Sequence, residues 1–455
     1  MIIVEATNRT ILRQTGGLPS DLSRTLHEKL SFANPKYLEN KRRGFSTWNT
    51  PRTLYYCEAM DDGLAVPRGF TRQAIGIIKA SGVPYRVDDR RRVLPEVDME
   101  FHGTLRDYQE NAVCAILARD FGTATLPTGA GKTVIALATI ARRKQPTLIV
   151  VHTAELMHQW IERIGTFLGI PDSEVGIIGG GKRRVGEKIT VGLVQSLAKC
   201  AEEVAPCVGF VVVDECHRAP SKTFTKCLAR FDCRYVLGLS ATPWRRDGLS
   251  QLIWWFVGDK IFEVGNDALV ESGSILPAQV VTRETDFKAT CNPSTQYGKM
   301  LSELCEDPAR NLMIVDDVVQ EAHSKSGVCL VLSDRKSHCE TLYRMLERKR
   351  IRVSLLTGDI PMKQRQQVVD TVNGGEVKVL VATGSLVGEG FDCKTLSSLF
   401  LATPVKFSGR VIQYVGRILR PAPGKSRAVI FDYTDIHVGV LAHSAKERRK
   451  VYASA

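Results

Sequence analysis

The sequence predicts an α/β chain: two tandem domains, each a parallel sheet with helices on both faces, preceded by a small α+β domain. Three observations predict it. Short, continuous apolar runs recur between longer helix-patterned stretches, which is how strands buried on both faces read. A glycine-rich loop of the phosphate-binding kind lies between one such run and the helix after it. The strand–helix scheme then begins again in the second half of the chain without a second loop of that kind.

Residues 1–98 form the expected N-terminal accessory domain. Met1-Ile-Ile-Val-Glu5 reads as a first strand and lacks the longer apolar core of a signal peptide, so the expected location is cytoplasmic. Lys41, Arg42 and Arg43 lie near Trp48, Tyr55 and Tyr56. Cations beside aromatics suit a surface for single-stranded, forked or duplex DNA. The same aromatics equally suit the core of a small sheet. A basic run at Arg90, Arg91 and Arg92 gives way to the acidic junction Pro95-Glu-Val-Asp-Met-Glu100.

Residues 99–272 form the expected first of the two tandem parallel-sheet domains. Its apolar strands are Thr147–Val151, Ile189–Val194, Gly209–Val213 and Tyr235–Leu239, and alternation with helical patterns implies a parallel sheet. Phe121–Leu126 reads as a strand entering the loop Leu126-Pro-Thr-Gly-Ala-Gly-Lys-Thr133, and Val134–Ile140 as a helix leaving it. Gly129 and Gly131 let successive N–H groups turn toward phosphate oxygens, and the helix adds its positive end. Lys132 offers a point charge to the β- and γ-phosphates, and Thr133 a hydroxyl to Mg²⁺. Leu126 stands where the strict loop pattern has a glycine. The acidic box Asp214-Glu-Cys-His217 follows an apolar run, at the strand end where open α/β sheets bind ligands. Neighbouring residues there point in different directions, so Asp214 is assigned to the metal and Glu215 to the attacking water as general base. His217 is expected to couple the box to its neighbours.

Residues 273–455 form the expected second tandem domain, with strands at Val328–Leu332, Val353–Leu356, Val377–Val381 and Ala428–Phe431. Asp307-Pro-Ala-Arg-Asn311 suggests a turn into a helix, within a polar segment from 273 to 326 that has little readable pattern. Gln413-Tyr-Val-Gly-Arg-Ile-Leu-Arg420 carries two arginines three residues apart, which is also the spacing of a solvated helix stripe.

The 455 residues are 44% apolar with a formal net charge of +13, an ordinary globular chain biased toward polyanions. No uncharged apolar run approaches the ~18 residues a membrane span needs, so no membrane partner is expected. Twelve cysteines form no C-x-x-C pair, which argues against a zinc ribbon or a disulfide framework.

In chain order the motifs are Leu105-Arg-Asp-Tyr-Gln109, the LPTGAGKT loop, Val151-His-Thr-Ala-Glu-Leu-Met-His-Gln-Trp160, Val194-Gln-Ser-Leu197, the DECH box, Ser240-Ala-Thr-Pro243, Thr357-Gly358, Val381-Ala-Thr-Gly384, Gly388-Glu-Gly-Phe-Asp392 and QYVGRILR. This set resembles a superfamily two helicase of the DEAH-box type over roughly residues 100 to 435. Its flavour is similar to XPB-type and UvsW-type DNA helicases, with Cys216 replacing the commoner alanine of the box. The resemblance implies RecA-like folds for both motor domains and one ATP site, with Mg²⁺, completed from both. It implies that Arg106, Gln109, the loop residues Pro127, Thr128, Gly129, Ala130, Gly131, Lys132 and Thr133, and Gly390, Asp392 and Gln413 bind the nucleotide. Catalysis would fall to Lys132, Asp214, Glu215 and the arginine fingers Arg417 and Arg420. His217, Ser240 and Thr242 would carry the nucleotide state to the nucleic-acid face. Strand contacts would come from Thr153, Gln195, Ser196, Arg335, Thr357, Gly358 and Thr383, although a Ser or Thr after a strand is as readily a helix cap.

The function expected is an ATP-dependent DNA helicase or translocase on duplex, forked or branched DNA, in repair, recombination or branch migration, moving 3′ to 5′ by resemblance. Two rivals stay open. One is an RNA helicase. The other is a DNA-stimulated ATPase subunit of a defence or repair complex, with protein partners and no strand separation.

Overall fold

The computed structural model describes the chain except residues 219–221, 242–248, 324–326, 388–392, 394, 406–407, 423–424, 426 and 454–455. It divides into two compact units: Met1–Leu126 with Gly131–Glu263, and Val264–Ala455 with Pro127–Ala130.

The first unit holds an eight-stranded sheet. In spatial order its strands are Lys182–Arg184, Gly176–Gly179, Ile189–Leu193, Thr147–Val151, Phe210–Val213, Tyr235–Ser240, Phe121–Thr125 and Lys260–Glu263. All neighbours are parallel except the Lys182–Arg184 edge. Thr147–Val151 and Phe210–Val213 are buried at every position, as strands covered on both faces must be. The register brings Thr125 beside Ser240 and Val213 beside Val150. The carboxyl ends of the strands before the glycine-rich loop, the acidic box and the Ser240 segment therefore line one edge of the sheet.

The N-terminal residues build a second sheet in this unit, ordered Glu58–Met60, Gly63–Pro67, Arg9–Arg13, Ile2–Ala6 and Tyr85–Asp89. It is not tethered by a bare linker. The Arg68 guanidinium is buried and donates to the carbonyls of Phe231 (3.2 Å), Cys233 (2.6 Å) and Thr7 (3.3 Å). Backbone bonds run from Arg92 N–H to Asp232 O and from Arg234 N–H to Arg92 O. Phe32, Tyr56 and Phe70 pack around Trp255 of the helix Gln251–Val257. A small paired strip, Ser31–Ala33 with Thr53–Tyr55, carries the chain out and back between these contacts.

Two N-terminal expectations separate here. The strand at the start forms as Ile2–Ala6. The core reading of the aromatics fails at Trp48 and Tyr55, which are 92% and 66% exposed; only Tyr56 joins the packing.

The second unit holds a six-stranded, wholly parallel sheet ordered Ala278–Thr285, Ala428–Asp435, Leu396–Leu401, Val328–Ser333, Val379–Thr383 and Val353–Leu356. The turn at Asp307 does lead into a helix, Pro308–His323, whose Asp307 Oδ1 accepts from the Arg310 N–H (2.7 Å). Arg310 is itself buried, its Nε donating to Asp435 (2.8 Å) and its Nη1 to the Ala402 carbonyl (2.6 Å). Among the described residues no helix is long and apolar enough to cross a membrane.

Gly69 tests the docking of the N-terminal sheet. A Cβ there would stand 2.1 Å from the Trp254 carbonyl and 2.7 Å from that of Trp255. Gly69→Ala is expected to cost roughly 1–3 kcal/mol through forced backbone shifts, lowering the unfolding temperature by about 2–4 °C per kcal/mol. An unchanged melting curve would refute the docked arrangement.

Candidate nucleotide-binding and hydrolysis site

The loop after Phe121–Thr125 opens the helix Lys132–Arg143, with Gly131 as its N-cap in a left-handed conformation (φ +78°). A Cβ at Gly131 would lie 2.5 Å from Gln109 Nε2, so glycine is needed for space as well as for backbone angle. Gln109 is buried and its Oε1 accepts from the Arg106 N–H (3.0 Å) at the start of the helix Asp107–Leu117. That pins the glutamine against the phosphate-type loop. Leu126, the departure from the strict pattern, is fully buried, and its N–H donates to the Ser240 carbonyl (2.8 Å). A buried apolar residue thus ties the loop to the neighbouring strand end.

The acidic pair lies at the end of Phe210–Val213. Asp214 is 7% exposed, and its Oδ2 accepts from the Trp160 indole Nε1 (2.9 Å). Trp160 is itself buried in the helix Ala154–Leu168, so packing fixes the ring that donates this bond. Glu215 takes φ +48°, a left-handed conformation uncommon for a non-glycine residue, and its N–H donates to Asp214 Oδ1 (2.9 Å). Its Oε1 meets Lys132 Nζ at 3.2 Å, and its Oε2 lies 3.2 Å from His217 Nδ1. His217 Nδ1 is in turn 3.0 Å from Ser240 Oγ. Cys216 is fully buried beneath Gly238, where burial pushes its thiol far up and leaves it chemically quiet.

This geometry drives two neighbouring carboxyls apart. Burial, with Glu215 adding to it, raises Asp214 to about 6, against the pull of Lys132 and the Trp160 N–H. Burial also pushes Glu215 up, but Lys132 and His217 outweigh it and hold the group well below the usual carboxylate range. For Asp214 the linkage sign is that ionisation costs folded stability: this contribution is favourable at acid pH and is lost as pH rises toward about 6. A buried carboxylate so disfavoured is a fitting oxygen donor for a divalent cation, which supplies the charge the site lacks. The Thr133 hydroxyl, at the start of the helix Lys132–Arg143, would be the second hard-oxygen donor that Mg²⁺ favours.

The nucleic-acid candidates of the first unit, Thr153, Gln195 and Ser196, follow two strands that are neighbours in the sheet, paired Leu193 to Val151. Thr153 caps its helix, its side chain accepting from the Leu156 N–H (3.3 Å). Ser196 lies inside the short helix Val194–Leu197 and is not its cap; Gln195 is exposed. In the second unit, Arg335, Thr357, Gly358 and Thr383 lie at the carboxyl ends of three adjacent strands. Thr357 and Thr383 are buried, Gly358 is exposed, and Arg335 donates through Nη2 to the Gly298 carbonyl (3.4 Å).

Arg417 belongs to the helix Ser408–Ile418 and is mostly buried; Arg420 follows just past its end. Lys425 turns back on that end, its Nζ donating to the carbonyls of Arg420 (2.6 Å) and Ile418. Burial, followed by the Arg420 charge, brings its ammonium down to about 8. Thr242, Gly390 and Asp392 lie outside the described residues, as does the side chain of Gln413. Sequence reasoning quoted Trp160 in a motif without giving it a role and missed Lys425, because each acts through a contact that no spacing rule announces.

Trp160→Phe should keep the packing and delete the N–H donated to Asp214, a bond to a charged group worth about 1.5–3 kcal/mol. The Asp214 carboxyl then rises further, so the acid limb of ATP turnover should move to higher pH and half-maximal turnover should need more Mg²⁺. An acid limb and a Mg²⁺ requirement identical to wild type would show that the indole does not hold Asp214.

Comparison with known proteins agrees with this geometry. Residues 102–245 match the family described as type III restriction enzyme, res subunit, and residues 311–422 match the helicase conserved C-terminal domain. The chain is 30% identical over 352 residues to the DNA 3′-5′ translocase XPB2 of Sulfurisphaera tokodaii, covering 70% of this chain and 78% of that one. It is 25% identical over 359 residues to the ATP-dependent DNA helicase uvsW of Enterobacteria phage T4, covering 75% and 70%. In structure it is similar to a fragment described as an HsdR subunit of a type I restriction enzyme from Vibrio vulnificus, with a TM-score of 0.56 at 20% identity, covering 75% of this chain and 66% of that one. The chain belongs to the superfamily two helicases, in the branch of the XPB- and UvsW-type enzymes, and is an ATP-hydrolysing member of that family.

Proposed function

We propose that this chain is a DNA translocase or helicase that couples ATP hydrolysis to remodelling of forked or branched DNA in repair, recombination or branch migration. The observation that carries the reading is the cluster around Glu215: its Oε1 lies 3.2 Å from Lys132 Nζ and its Oε2 3.2 Å from His217 Nδ1, a nitrogen that is also 3.0 Å from Ser240 Oγ. It joins the lysine of the phosphate-type loop to the candidate proton acceptor, and that acceptor to Ser240 at the end of the neighbouring strand. The names of the relatives support DNA as the track, and a net charge of +13 supports a polyanion.

In this reading the N–H groups from Gly129 to Thr133 and the Lys132 ammonium hold the phosphates, and Gln109 with Arg106 faces the base. Asp214 and Thr133 would hold Mg²⁺, which when bound offsets phosphate charge. Lys132 Nζ pairs with Glu215 Oε1 at 3.2 Å. Phosphate oxygens compete for the ammonium, and a Glu215 relieved of its cation becomes a stronger base. Glu215 then takes a proton from water as the water oxygen bonds to the γ-phosphorus and the bridging oxygen leaves with ADP. Arg417 and Arg420 would stabilise the charge spread over the transferring phosphoryl group, as cationic fingers do in other NTPases. Gly390, Asp392 and Gln413 complete the nucleotide set in this reading. Ser240 and Thr242, through His217, would pass the nucleotide state to Thr153, Gln195, Ser196, Arg335, Thr357, Gly358 and Thr383, where small hydroxyl and backbone groups suit phosphate contacts.

ATP turnover measured without nucleic acid and with single-stranded DNA, duplex, fork, four-way junction and RNA tests the reading, with strand displacement followed on the best substrate. Forked or branched DNA should raise turnover by at least tenfold, and Lys132→Ala should abolish turnover on every substrate. Preferential stimulation by RNA would replace DNA as the track. Stimulation by DNA with no displacement or movement would leave a DNA-stimulated ATPase subunit instead.

A further inference from the structure

Between the short strands Ser31–Ala33 and Thr53–Tyr55 the chain leaves the body of the first unit and returns. The helix Pro35–Arg43 on this excursion has no buried residue at all. Past its left-handed Gly44 cap, Phe45 is 60% exposed and Trp48 is 92% exposed. A large aromatic ring in water is costly, and the usual reason to keep one there is something that covers it.

The excursion is nonetheless built. Asn34, buried at its base, donates through Nδ2 to the Pro51 carbonyl (2.8 Å), while its Oδ1 accepts from the Lys36 N–H (3.0 Å) and its N–H donates to the Arg52 carbonyl (2.9 Å). Thr50 N–H to Thr47 O (2.9 Å) shapes the turn carrying Trp48. Beneath it Phe32 stacks on Tyr56 at 5.7 Å, and both pack on Trp255. The exposed ring is therefore held on a fixed base.

Charge says what covers it. Residues 34–52 hold Lys36, Lys41, Arg42, Arg43 and Arg52 against the single acid Glu39, and Glu39 is taken by Arg43 at 2.7 Å. A protein partner would meet an apolar ring on a strongly cationic excursion, whereas a nucleic-acid strand offers phosphates to the cations and a base to the ring. A duplex keeps its base faces stacked inside. An unpaired strand does not.

We propose that the excursion 34–52 is a binding platform for an unpaired nucleic-acid strand, with a base stacked on Trp48 and phosphates against Lys41 and Arg42. This rests on the reading of nucleic acid as the track and adds to it a means of telling unpaired strand from duplex.

The test compares the full-length wild type with Trp48→Ala, and separately with the pair Lys41→Ala and Arg42→Ala, on a single-stranded oligonucleotide, a fork and a blunt duplex. All three side chains are exposed, and an unchanged unfolding temperature checks the fold. Trp48→Ala should weaken binding to the single strand and the fork by roughly 5- to 150-fold, the range for one base–aromatic stack, and leave the blunt duplex within about twofold. The cation pair should flatten the salt dependence on the single strand by about 1–1.5 in log–log slope, at ~0.7 per phosphate contact. Equal binding by Trp48→Ala and wild type on all three substrates would overturn the proposal, as would an equal loss on duplex and single strand. If Trp48→Ala shows the selective loss while no nucleic acid raises wild-type ATP turnover, the motor reading falls and the platform stands.

Discussion

The ion pair between Lys132 and Glu215 organises the candidate site. It places the one cation of the phosphate-type loop on the group that would serve as general base, and it does so where both side chains are largely withdrawn from water. Without the lysine, two adjacent carboxyls at the end of a buried strand would share a site with little solvent, and one would be forced to carry a proton. With it, the pair divides: Asp214 is pushed up by burial and by its neighbour, and Glu215 is held down by Lys132 and His217. Two carboxyls of one box acquire two characters from their surroundings, which is how a site assigns acid, base and metal-binding roles to like groups.

The sheet makes that arrangement possible. The loop, the Ser240 segment and the acidic box leave three consecutive strands at the same edge, and the Leu126 N–H on the Ser240 carbonyl fixes the first to the second. Trp160 reaches in from the helix after the next strand to hold Asp214. The left-handed backbone of Glu215 turns its carboxylate toward Lys132 and His217, away from its neighbour, and such strain persists only where the surroundings over-determine it. Binding of a phosphate would draw Lys132 away and release the base in the same event.

Much of this was legible in the residues. Thr147–Val151 forms as read, because a strand inside a parallel sheet is covered on both faces, and Val353–Leu356 forms as read as a half-buried edge strand. Leu396–Leu401 escaped the same reasoning: two serines interrupt it, and both are buried, Ser398 donating to Glu321 at 2.7 Å. Ala278–Thr285 escaped it for the opposite reason, being a largely exposed edge strand with polar residues along its length. In the site, residue types announced the loop and the acidic box, while the hydrogen bond from Trp160 to Asp214, spanning 54 positions, has no local signature. Trp48 shows the limit most clearly, since an aromatic in an N-terminal sheet domain is as easily core as surface and only the fold puts it in water.

The claim that Lys132 is withheld from phosphate by Glu215 is tested most directly by nucleotide affinity, measured with a fluorescent non-hydrolysable ATP analogue on the wild type and on Glu215→Gln at fixed ionic strength. Removing the charge frees the ammonium in advance, so the variant should bind about tenfold more tightly, equivalent to about 1.4 kcal/mol. Equal or weaker binding by Glu215→Gln would contradict the account.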